Sequence, residues 1–588
     1  MVTTPLTVFD RSAALERLAA EEFDVLVIGG GITGAGVLLD AASRGLKAAL
    51  VERDDFASGT SSKSSKLVHG GLRYLQQKEF ALVHENLVER QRLLRNAPHL
   101  VEPLAFLIPL FGSGGVVDQT VARAYSVALW MYDLAGGYRI GRRHRKISAD
   151  ELATHMPTLR RDRLVAGFVY YDARADDARL TLAVTRTAVL SYGAVAANHA
   201  GVVALVTGPE GTLTGATVDP GGGAEPFVVR ARAVVNATGI WADDVRALED
   251  GEHPHAIRPA KGIHLTVSRT KLPCDLAAVV PVPKDRRSIF VIPWGEHTYL
   301  GTTDTDYEGP LDDPRVDPAD VDYVLAAINT AVEPRLGPED VTGSWAGLRP
   351  LLAATPGRHR PPSARTADLS RRHQVLVSGR GLVTITGGKL TTYRKMAEET
   401  VDALSEVLGR RLGRSQTRHM RLRGGEGGAG TRDRFGLTRG GHSGETDDAA
   451  THLQSRYGSE ARIVRSLVEE RPELGEPLVK SLPYLKAEAV YAVRYEMATD
   501  LADVLARRTR AVLLDLDATR RAAPEVAVLV GELLGWDDAR RTAELASFEA
   551  YCRANEAPVV TGARTDPAPS AEEQETTSRG ASHDGGGS

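Results

Sequence analysis

FDVLVIGGGITGAGVLLDAASRG, residues 23–45, is the stretch that decides the fold. Its short run of apolar and β-branched residues ends at a cluster of glycines, and a helical stretch follows at once, so the pattern predicts a strand, a tight turn and a helix. KAALVERD (47–54) then supplies a second strand. Together these elements predict a βαβ unit, whose crossover we expect to be short and right-handed.

The chain up to about residue 415 continues to alternate strands and helices. Strand-like runs recur at 227–237, 287–293 and 374–378, and helical spacing recurs at 84–95, 318–332 and 387–408. This alternation favours an α/β architecture with a partly parallel sheet.

Beyond that point the composition changes. The segment RGGEGGAGTRDRFGLTRGGHSGE, which begins at residue 423, is rich in glycine and charge, and we predict a linker over 416–446. Apolar residues at three- and four-residue spacing predict a small helical domain over 447–555. The tail, 556–588, has no aromatic residue and little to bury, so we expect it to be disordered.

The composition excludes several classes of protein. The 588 residues carry 72 basic and 76 acidic side chains, a net charge of −4, so no overall field would attract nucleic acid. The two cysteines, Cys274 and Cys552, are too few and too far apart in sequence for a disulfide framework or a paired-cysteine metal site. Because no signal-peptide pattern and no apolar run of about 18 residues occurs, we expect a cytoplasmic protein, with attachment to a membrane surface left open.

The glycines of the first turn carry the first functional signal. Gly29, Gly31 and Gly34 form a GxGxxG pattern after the strand, in which the glycines permit the turn, the approach of a pyrophosphate and close packing of helix on strand. Glu52 ends the second strand 18 residues after Gly34, where a carboxylate can bind ribose hydroxyls. These residues predict a bound dinucleotide, but they do not separate FAD from NAD.

Two later segments bear on the choice of dinucleotide. ARAVVNATGIWAD (231–243) is a strand that runs into Ala-Thr-Gly, and TITGGKLTTYRKMAEE (384–399) is a strand, a glycine turn and a helix. Gly387 and Gly388 can offer N–H groups to an anion or to the edge of a flavin ring. Taken alone, each segment is more often ordinary turn chemistry.

Five motifs follow one another along the chain. They are TSSKSSKLVHGGLRYLQQKEF (60–80), NATGIW (236–241), IPWG with LGTTDTDY (292–307), GLRPL (347–351) and GGKLTTYRKMAEE (387–399). In this order they resemble the FAD-dependent glycerol-3-phosphate dehydrogenases, a family of the D-amino-acid-oxidase-like flavoprotein superfamily. The likeness covers about 20–410, and LADVLARRTR (501–510) resembles the C-terminal domain of the same family.

The resemblance implies a fold class, a cofactor and a reaction. The fold is α/β, with a Rossmann-like FAD-binding domain, an antiparallel-sheet substrate domain that caps the flavin, and a C-terminal helical domain. The reaction is oxidation of sn-glycerol 3-phosphate to dihydroxyacetone phosphate by hydride transfer from C2 to flavin N5, with electrons passed to a membrane quinone. Homodimerisation and a peripheral location on the inner face of the cytoplasmic membrane are left open. The expected FAD-binding domain comprises 20–95, 176–260 and 355–415, and the expected cap comprises 96–175 and 261–354.

The same motifs imply which residues contact the cofactor. We expect these residues to lie in the glycine turns and in the loops that follow the strands. They are Gly29, Gly31, Gly34, Glu52, Arg53, Thr60, Ser61, Ser65, Lys66, His69, Gly70, Gly71, Ala237, Thr238, Gly239, Trp241, Gly387, Gly388, Lys389, Leu390 and Thr391.

Oxidation of a phosphorylated alcohol needs cations for the phosphate dianion and a group that takes the hydroxyl proton. Arg73, Arg349 and Lys389 are the candidate cations, since each lies in a glycine-bearing loop where backbone and ligand can come close. His264 is the candidate base and His69 the second choice, because histidine accepts a proton near neutral pH. Either histidine could instead be a packed or hydrogen-bonded side chain. We therefore predict catalytic roles for His264, Arg349 and Lys389.

Other polar residues are given supporting roles. Tyr74, Thr303 and Asp304 join Arg73, Arg349 and Lys389 as expected substrate contacts that orient the ligand by hydrogen bonds. The basic run RRHRK (142–146) could contact an anionic membrane, although a solvated loop is the simpler interpretation.

Three other functions are weighed against this one. A glycerol-3-phosphate oxidase would perform the same oxidation and pass the electrons to O₂, and the sequence does not separate the two. An amine or amino-acid oxidase would need a carboxylate clamp in place of a phosphate site, which the motifs disfavour. A flavin-bearing RNA-binding protein would need a basic face with aromatic residues, whereas aromatics make up 5% of this chain.

Overall fold

A computed structural model describes residues 9–72, 74, 79–112, 119–282, 287–352, 372–426 and 448–558. The chain forms two sheets, helices that cover them, and a helical C-terminal region. Arg73, expected at the substrate, lies outside the described residues. The same is true of 427–446 in the predicted linker and of the predicted disordered tail from residue 559 onward.

The first sheet grows from the βαβ unit that the sequence predicts. Five parallel strands stand side by side because their apolar runs are buried on both faces. Gln374–Val377 joins one edge antiparallel, and the hairpin Gly201–Thr207 with Leu213–Asp219 pairs with Phe227–Asn236. The parallel strands, in spatial order, are Leu382–Thr386, Phe227–Asn236, Glu22–Ile28, Ala48–Val51 and Val195–Ala197.

Helices pack against this sheet. Ile32–Ser43 lies between Asp177–Tyr192 and Tyr393–Val407, and all but one of its residues are buried. Arg11–Ala20, which precedes the first motif, packs on two strands of the same sheet and buries Leu18. Ala242–Asp250 follows Phe227–Asn236.

The second sheet is larger and mostly antiparallel. Its long strands Ile257–Ser268 and Val341–Leu352 pair over almost their full lengths, and Val101–Phe111 pairs with Leu164–Ala175 in the same way. Its other strands are Leu67–Val68, Arg145–Ser148, Ala277–Pro281, Ser288–Trp294, His297–Gly301 and Thr305–Asp306. The helices that accompany it are Phe80–Asn96, Gln119–Leu134, Ala149–His155 and Pro318–Ile328.

The C-terminal region is helical, as its apolar spacing predicts. A core of leucine, valine and alanine side chains holds its helices together. Among the described residues, no helix combines the length and apolar character needed to cross a membrane. The elements are Asp448–Tyr457, Ala461–Glu470, Lys486–Glu496, the π-helical turn Asp503–Arg508, Ala511–Leu514, Leu516–Leu534 and Asp538–Asn555.

Several boundaries differ from the sequence predictions. The helix expected over 387–408 begins only at Tyr393, because Gly387 and Gly388 have φ of 74° and 87° and therefore form a turn. The helix expected over 318–332 ends at Ile328.

The start of the predicted linker is packed: the Arg423 guanidinium donates a hydrogen bond of 2.9 Å to Glu460.

Candidate functional site

One cleft brings most of the predicted cofactor residues together. It lies at the carboxyl ends of the parallel strands, where Ile28 and Val51 end their strands, and its volume is about 330 Å³. Pro350 of the second sheet also lines it. The predicted residues in its lining are Gly29, Gly31, Glu52, Arg53, Thr60, Ser61, Ala237, Thr238, Gly239, Trp241, Gly387, Gly388, Lys389 and Leu390.

The glycine turn, residues 29–34, is shaped for the close approach of a ligand. A Cβ on Gly29 would lie 2.8 Å from Ala237 O, and a Cβ on Gly34 would lie 1.9 Å from Gly29 O. Gly34 thus allows the helix to pack on the turn. A Cβ on Gly31 would have only the Ser61 side chain within 4 Å, and Gly31 lines the cleft. Gly31 therefore keeps open the space that a pyrophosphate needs.

Glu52 fixes the end of the cleft beyond this turn. Its carboxylate accepts a hydrogen bond of 2.6 Å from Gly30 N–H and one of 2.9 Å from Asp54 N–H. Burial raises the pKa of Glu52 to about 7, although both backbone hydrogen bonds oppose this effect. A carboxyl group held here can accept hydrogen bonds from the hydroxyls of a ribose.

Arg53 and Trp241 form the neighbouring wall. The Arg53 guanidinium lies 5.1 Å from the centroid of the Trp241 ring, and both side chains donate to Asp312 Oδ1, at 2.6 and 2.9 Å. The sequence motifs gave no signal for Asp312, because it lies in a loop of the second sheet that contacts this wall only in the folded chain.

Two hydroxyl side chains attach the following loop to the cleft. Thr60 Oγ1 donates a hydrogen bond of 2.6 Å to Leu348 O, and Ser61 Oγ accepts one of 2.9 Å from Ile32 N–H at the start of a helix. Thr60 and Ser61 therefore connect this loop to the second sheet and to the helix Ile32–Ser43, in addition to lining the cleft.

The turn after Leu382–Thr386 forms the opposite end of the cleft. At Gly388 a Cβ would lie 2.3 Å from Met396 Sδ, so the turn needs glycine there for space as well as for its positive φ. Lys389 Nζ lies 3.8 Å from the centroid of the Tyr74 ring, a cation–π contact. The structure thus brings these two predicted substrate residues together.

The loop that carries His69, Gly70 and Gly71 lies beside this turn. The His69 N–H donates a hydrogen bond of 3.3 Å to Thr391 Oγ1, and Gly70 N–H donates one of 2.9 Å to the Tyr132 hydroxyl of the second sheet's helical cover. The cleft lining does not include His69, Gly70, Gly71 or Thr391, although Leu390, next to Thr391, is part of it.

Arg349 lies on the second sheet, next to Pro350 of the cleft. Its guanidinium donates to Asp304 Oδ1 at 3.1 Å and to Thr302 Oγ1 and Thr303 O at 3.2 Å each. A Cβ on Gly262, in the adjacent strand, would lie 2.3 Å from Arg349 Nη2, so this glycine makes room for the guanidinium. About a quarter of the side chain, 24%, stays exposed.

His264 lies deeper in the same sheet, on the neighbouring strand. Its ring stacks on Trp345 with centroids 4.7 Å apart, and its Nε2 is 2.8 Å from Ser65 Oγ. Burial, with the charges of Lys66 and Arg349 nearby, lowers the pKa of His264 well below its usual value. The ring is therefore neutral near pH 7, and Ser65 Oγ is the hydrogen-bond partner of its Nε2.

Lys66 is turned into the protein. Its ammonium donates to both oxygens of buried Asp177, at 3.1 and 3.2 Å, and lies 4.7 Å from the Trp345 ring centroid. Burial and the charge of Arg510 lower the pKa of Lys66 to about 8. Neither Lys66 nor its partners Asp177 and Trp345 line the cleft. Trp345 and Asp177, which sequence reasoning did not select, hold this part of the site together.

Comparisons with known proteins agree with this geometry. A family model described as FAD dependent oxidoreductase matches residues 24–394, and one described as the C-terminal domain of alpha-glycerophosphate oxidase matches residues 415–541. The chain is 41% identical to glycerol-3-phosphate dehydrogenase 2 of Mycobacterium tuberculosis, over 95% of this chain and 92% of that protein. It is 38% identical to the mitochondrial glycerol-3-phosphate dehydrogenase of Bos taurus, over 89% of this chain and 72% of that protein.

A solved structure extends the likeness to the fold. The glycerol-3-phosphate dehydrogenase of Bacillus halodurans, complexed with FAD, superposes with a TM-score of 0.73 over 94% of this chain and 99% of that chain, at 30% identity. FAD is therefore the cofactor, and the cleft fits it: the glycine turn leaves room for a pyrophosphate and Glu52 is placed for a ribose. The predicted α/β fold class and the predicted cofactor are confirmed.

Proposed function

The chain belongs to the family of FAD-dependent glycerol-3-phosphate dehydrogenases, and we propose that it oxidises sn-glycerol 3-phosphate to dihydroxyacetone phosphate. Similarity to enzymes of that name over nearly their whole length supports the substrate. The observation that carries the proposal is the position of Arg349, whose partly exposed side chain directly precedes Pro350 of the cleft lining. Arginine presents paired N–H donors that match the oxygens of a phosphate.

The phosphate is proposed to bind at the junction of two parts of the cleft. Arg349 offers one charge from the second sheet, and Lys389 offers another from the glycine turn of the first sheet. Asp304 holds the guanidinium at 3.1 Å and offsets part of its charge, so the site suits a dianion that a second cation also contacts. Tyr74, which lies under the Lys389 ammonium, orients that second cation.

The proton of the C2 hydroxyl is proposed to leave through Ser65 to His264. Ser65 Oγ accepts it while the hydroxyl proton of Ser65 passes to His264 Nε2, 2.8 Å away. Because burial lowers the pKa of His264, the ring is neutral before the reaction and Nε2 can receive the proton, although the same burial disfavours the imidazolium that forms. FAD, when bound in the cleft, would supply the acceptor for the hydride that leaves C2. The alternative base is His69, which is only partly buried.

Anaerobic reduction of the purified flavoprotein tests this function. We expect glycerol 3-phosphate to bleach the flavin absorbance and to yield dihydroxyacetone phosphate, whereas glycerol should act far more weakly because it lacks the phosphate. His264→Gln should slow flavin reduction at saturating substrate by about two to four orders of magnitude. The matched variant His69→Gln should then reduce at nearly the normal rate, and the reverse result would assign the base to His69. No bleaching by glycerol 3-phosphate would contradict the function.

The electron acceptor is proposed to be a membrane quinone, reached from a membrane-facing surface. Val127, Trp130 and Leu134 lie on one face of the helix Gln119–Leu134 and are 57, 48 and 76% exposed, and Tyr138 just beyond it is 53% exposed. A group of large apolar residues that are exposed next to one another is typical of an interaction surface.

Basic residues lie beside this surface. His144 contacts Trp130, with ring centroids 5.0 Å apart, so the segment 142–146 borders the apolar face. Arg143 and Lys146 in it are exposed. An apolar face bordered by cations suits the surface of an anionic bilayer, where the apolar side chains enter the interface and the cations contact the head groups.

Flotation with vesicles tests the membrane surface. The protein should float with vesicles that contain phosphatidylglycerol and much less with phosphatidylcholine vesicles. The double variant Val127→Ser/Leu134→Ser should lose flotation, while Val528→Ser, at an exposed apolar residue of the helical region, should retain it.

Reoxidation of the reduced flavin tests the electron acceptor, and it should be faster with a soluble quinone than with air. Faster reoxidation by O₂, with release of hydrogen peroxide, would favour the oxidase instead.

A further inference from the structure

Six arginines and their carboxylates join the helical region to the first sheet. This arginine cluster comprises Arg179, Arg186, Arg456, Arg507, Arg508 and Arg510 with Asp55, Asp176, Asp177, Glu460, Glu488, Glu496 and Asp503. Most of these pairs are deeply buried, and none of the six arginines lines the cleft. Arg510 contacts the loop that carries Ser65.

Arg510 contacts the serine loop, defined as residues 60–66. Its Nη2 donates to Asp177 Oδ1 at 2.9 Å and to Ser62 O at 2.5 Å, and the side chain is 1% exposed. Asp177 in turn accepts from Ser64 N–H at 3.1 Å and from Ser64 Oγ–H at 2.7 Å. One guanidinium of the helical region therefore holds both the backbone of the serine loop and the carboxylate on which that loop rests.

The other side of the serine loop faces His264. Trp345 Nε1 donates to Ser64 O at 3.2 Å, and the Tyr299 hydroxyl donates to Ser65 O at 3.0 Å. These bonds orient the Ser65 hydroxyl, which lies 2.8 Å from His264 Nε2. The contacts run without a break from Arg510 through Asp177 and Ser64 to Ser65 and His264.

We propose that Arg510 is a positioning residue for the reaction: through Asp177 and the serine loop, the helical region sets the position of Ser65 against His264. The proposal rests on the proposed function, since it assumes that this pair takes the substrate proton. The helical region thereby contributes to the chemistry as well as to the assembly of the chain. A small displacement of a proton acceptor is enough to lower a rate by orders of magnitude.

Arg186 provides a matched control. Its side chain is also buried, with 6% exposed, and its Nη1 donates to Glu460 Oε2 at 2.6 Å. Loss of Arg186 leaves Glu460 with Arg423, just as loss of Arg510 leaves Asp177 with Lys66. Arg186→Gln and Arg510→Gln therefore remove equivalent ion pairs between the helical region and the same helix, Asp177–Tyr192.

The test compares these variants in the holoenzyme by anaerobic flavin reduction. In Arg510→Gln we expect the rate at saturating glycerol 3-phosphate to fall by at least about tenfold, with the dissociation constant changed by less than about threefold. Its pH profile should also shift, because the Ser65–His264 pair is disturbed. Arg510→Lys should recover most of the rate, since a cation again reaches Asp177. Arg186→Gln should reduce at the wild-type rate.

Amide hydrogen exchange gives a readout that does not depend on turnover. The peptide that covers the serine loop should exchange faster in Arg510→Gln than in wild type, and should be unchanged in Arg186→Gln. If Arg510→Gln does not fold, Ser64→Ala replaces it and should show the same two effects more weakly. Equal losses in the Gln variants of Arg510 and Arg186, or normal reduction and loop exchange in Arg510→Gln, would overturn the proposal. If glycerol 3-phosphate fails to reduce the wild type, the proposed function fails, while the exchange experiment still tests whether Arg510 holds the serine loop.

Discussion

The glycine turn and the arginine cluster shift the pKa of their carboxyl groups in opposite directions. At the turn, burial raises the pKa of Glu52 to about 7, and its hydrogen-bond donors are backbone N–H groups. In the cluster, burial also opposes ionisation of Glu460, but the charges of Arg186 and Arg423 outweigh it and lower the pKa to about 2. In the cluster, arginines of the same chain neutralise the carboxylate. At the turn, the carboxyl group has backbone donors, and a bound ligand would add further hydrogen bonds.

This contrast separates assembly from binding. Buried ion pairs that are complete within the chain hold its parts together, and removal of one partner leaves an uncompensated charge. The glycine turn leaves space that no side chain fills, and a buried carboxyl group lies at its end. A bound dinucleotide would fill that space and contact the carboxyl group. We therefore expect mutations in the cluster to change the free energy of unfolding, with Arg510 also affecting the reaction through the serine loop, and mutations in the turn to change FAD binding.

The largest expected effect is on stability, in the cluster. Arg179 binds both oxygens of Glu496, at 3.0 and 2.7 Å, and Glu496 is fully buried. Arg179→Leu should lower the free energy of unfolding by about 3–5 kcal/mol, because it leaves the carboxylate largely uncompensated. Denaturant unfolding of the holoenzyme measures the loss, and the FAD content of the folded fraction should stay near one per chain.

A double variant sharpens this result. Arg179→Leu/Glu496→Leu removes both charges and should recover a large part of the lost stability, since apolar residues can replace a buried pair. No recovery in the double variant would mean that the pair contributes through its shape and packing, and the contrast with the turn would lose its electrostatic basis.

The second prediction concerns FAD affinity. Because a Cβ on Gly31 would meet only Ser61 within the protein, Gly31→Val should fold, yet its side chain would enter the space for the pyrophosphate. We expect at least a hundredfold weaker FAD binding, with the stability of the apoprotein nearly unchanged. Gly34→Val is the contrasting variant: its Cβ would overlap Gly29 O, so it should impair folding as well. Wild-type flavin content in Gly31→Val would contradict the assignment of this turn.

The third prediction concerns Arg349, which shares properties of both regions. Like the cluster arginines it has a carboxylate partner, but it is partly exposed beside the cleft. Arg349→Leu should weaken capture of glycerol 3-phosphate by about 1.5–3 kcal/mol, or roughly 10- to 150-fold, and should hardly affect oxidation of glycerol. Flavin reduction measured against substrate concentration checks this. An unchanged substrate affinity would remove Arg349 from the phosphate site.

The sequence predicts the turn far better than the cluster. GxGxxG and Glu52 are a local pattern with a direct physical meaning, and the Gly387–Gly388 turn is also local. The pairing of Arg510 with Asp177 joins residues 333 positions apart, so spacing along the chain gives no signal for it. Spacing along the chain also gives no signal for the surroundings of His264. Its contacts with Ser65 and Trp345 depend on the pairing of distant strands.

The smallest expected effect is on the pH dependence of the apoprotein. The folded-state pKa of Glu52 is about 7, above the ordinary value of 4.5, so the folded chain binds the proton more tightly than the unfolded chain does. Glu52 therefore lowers stability progressively as pH rises from about 4.5 to about 7, and its full cost remains above that range. Glu460 acts in the opposite sense, since its stabilising effect is lost as pH falls from 4.5 towards 2.

Comparison of wild-type apoprotein with Glu52→Gln isolates this effect, because all other titrating groups are shared. Between pH 4.5 and 7 the stability of wild type should fall relative to the variant by about 1–2 kcal/mol, less than the full pKa shift implies because the cleft admits solvent. Denaturant unfolding across this pH range measures the difference. Parallel curves for the two proteins would mean that Glu52 ionises without cost. The turn would then resemble the cluster, in which charges are already satisfied, and the buried carboxyl group would no longer mark a place for a ligand.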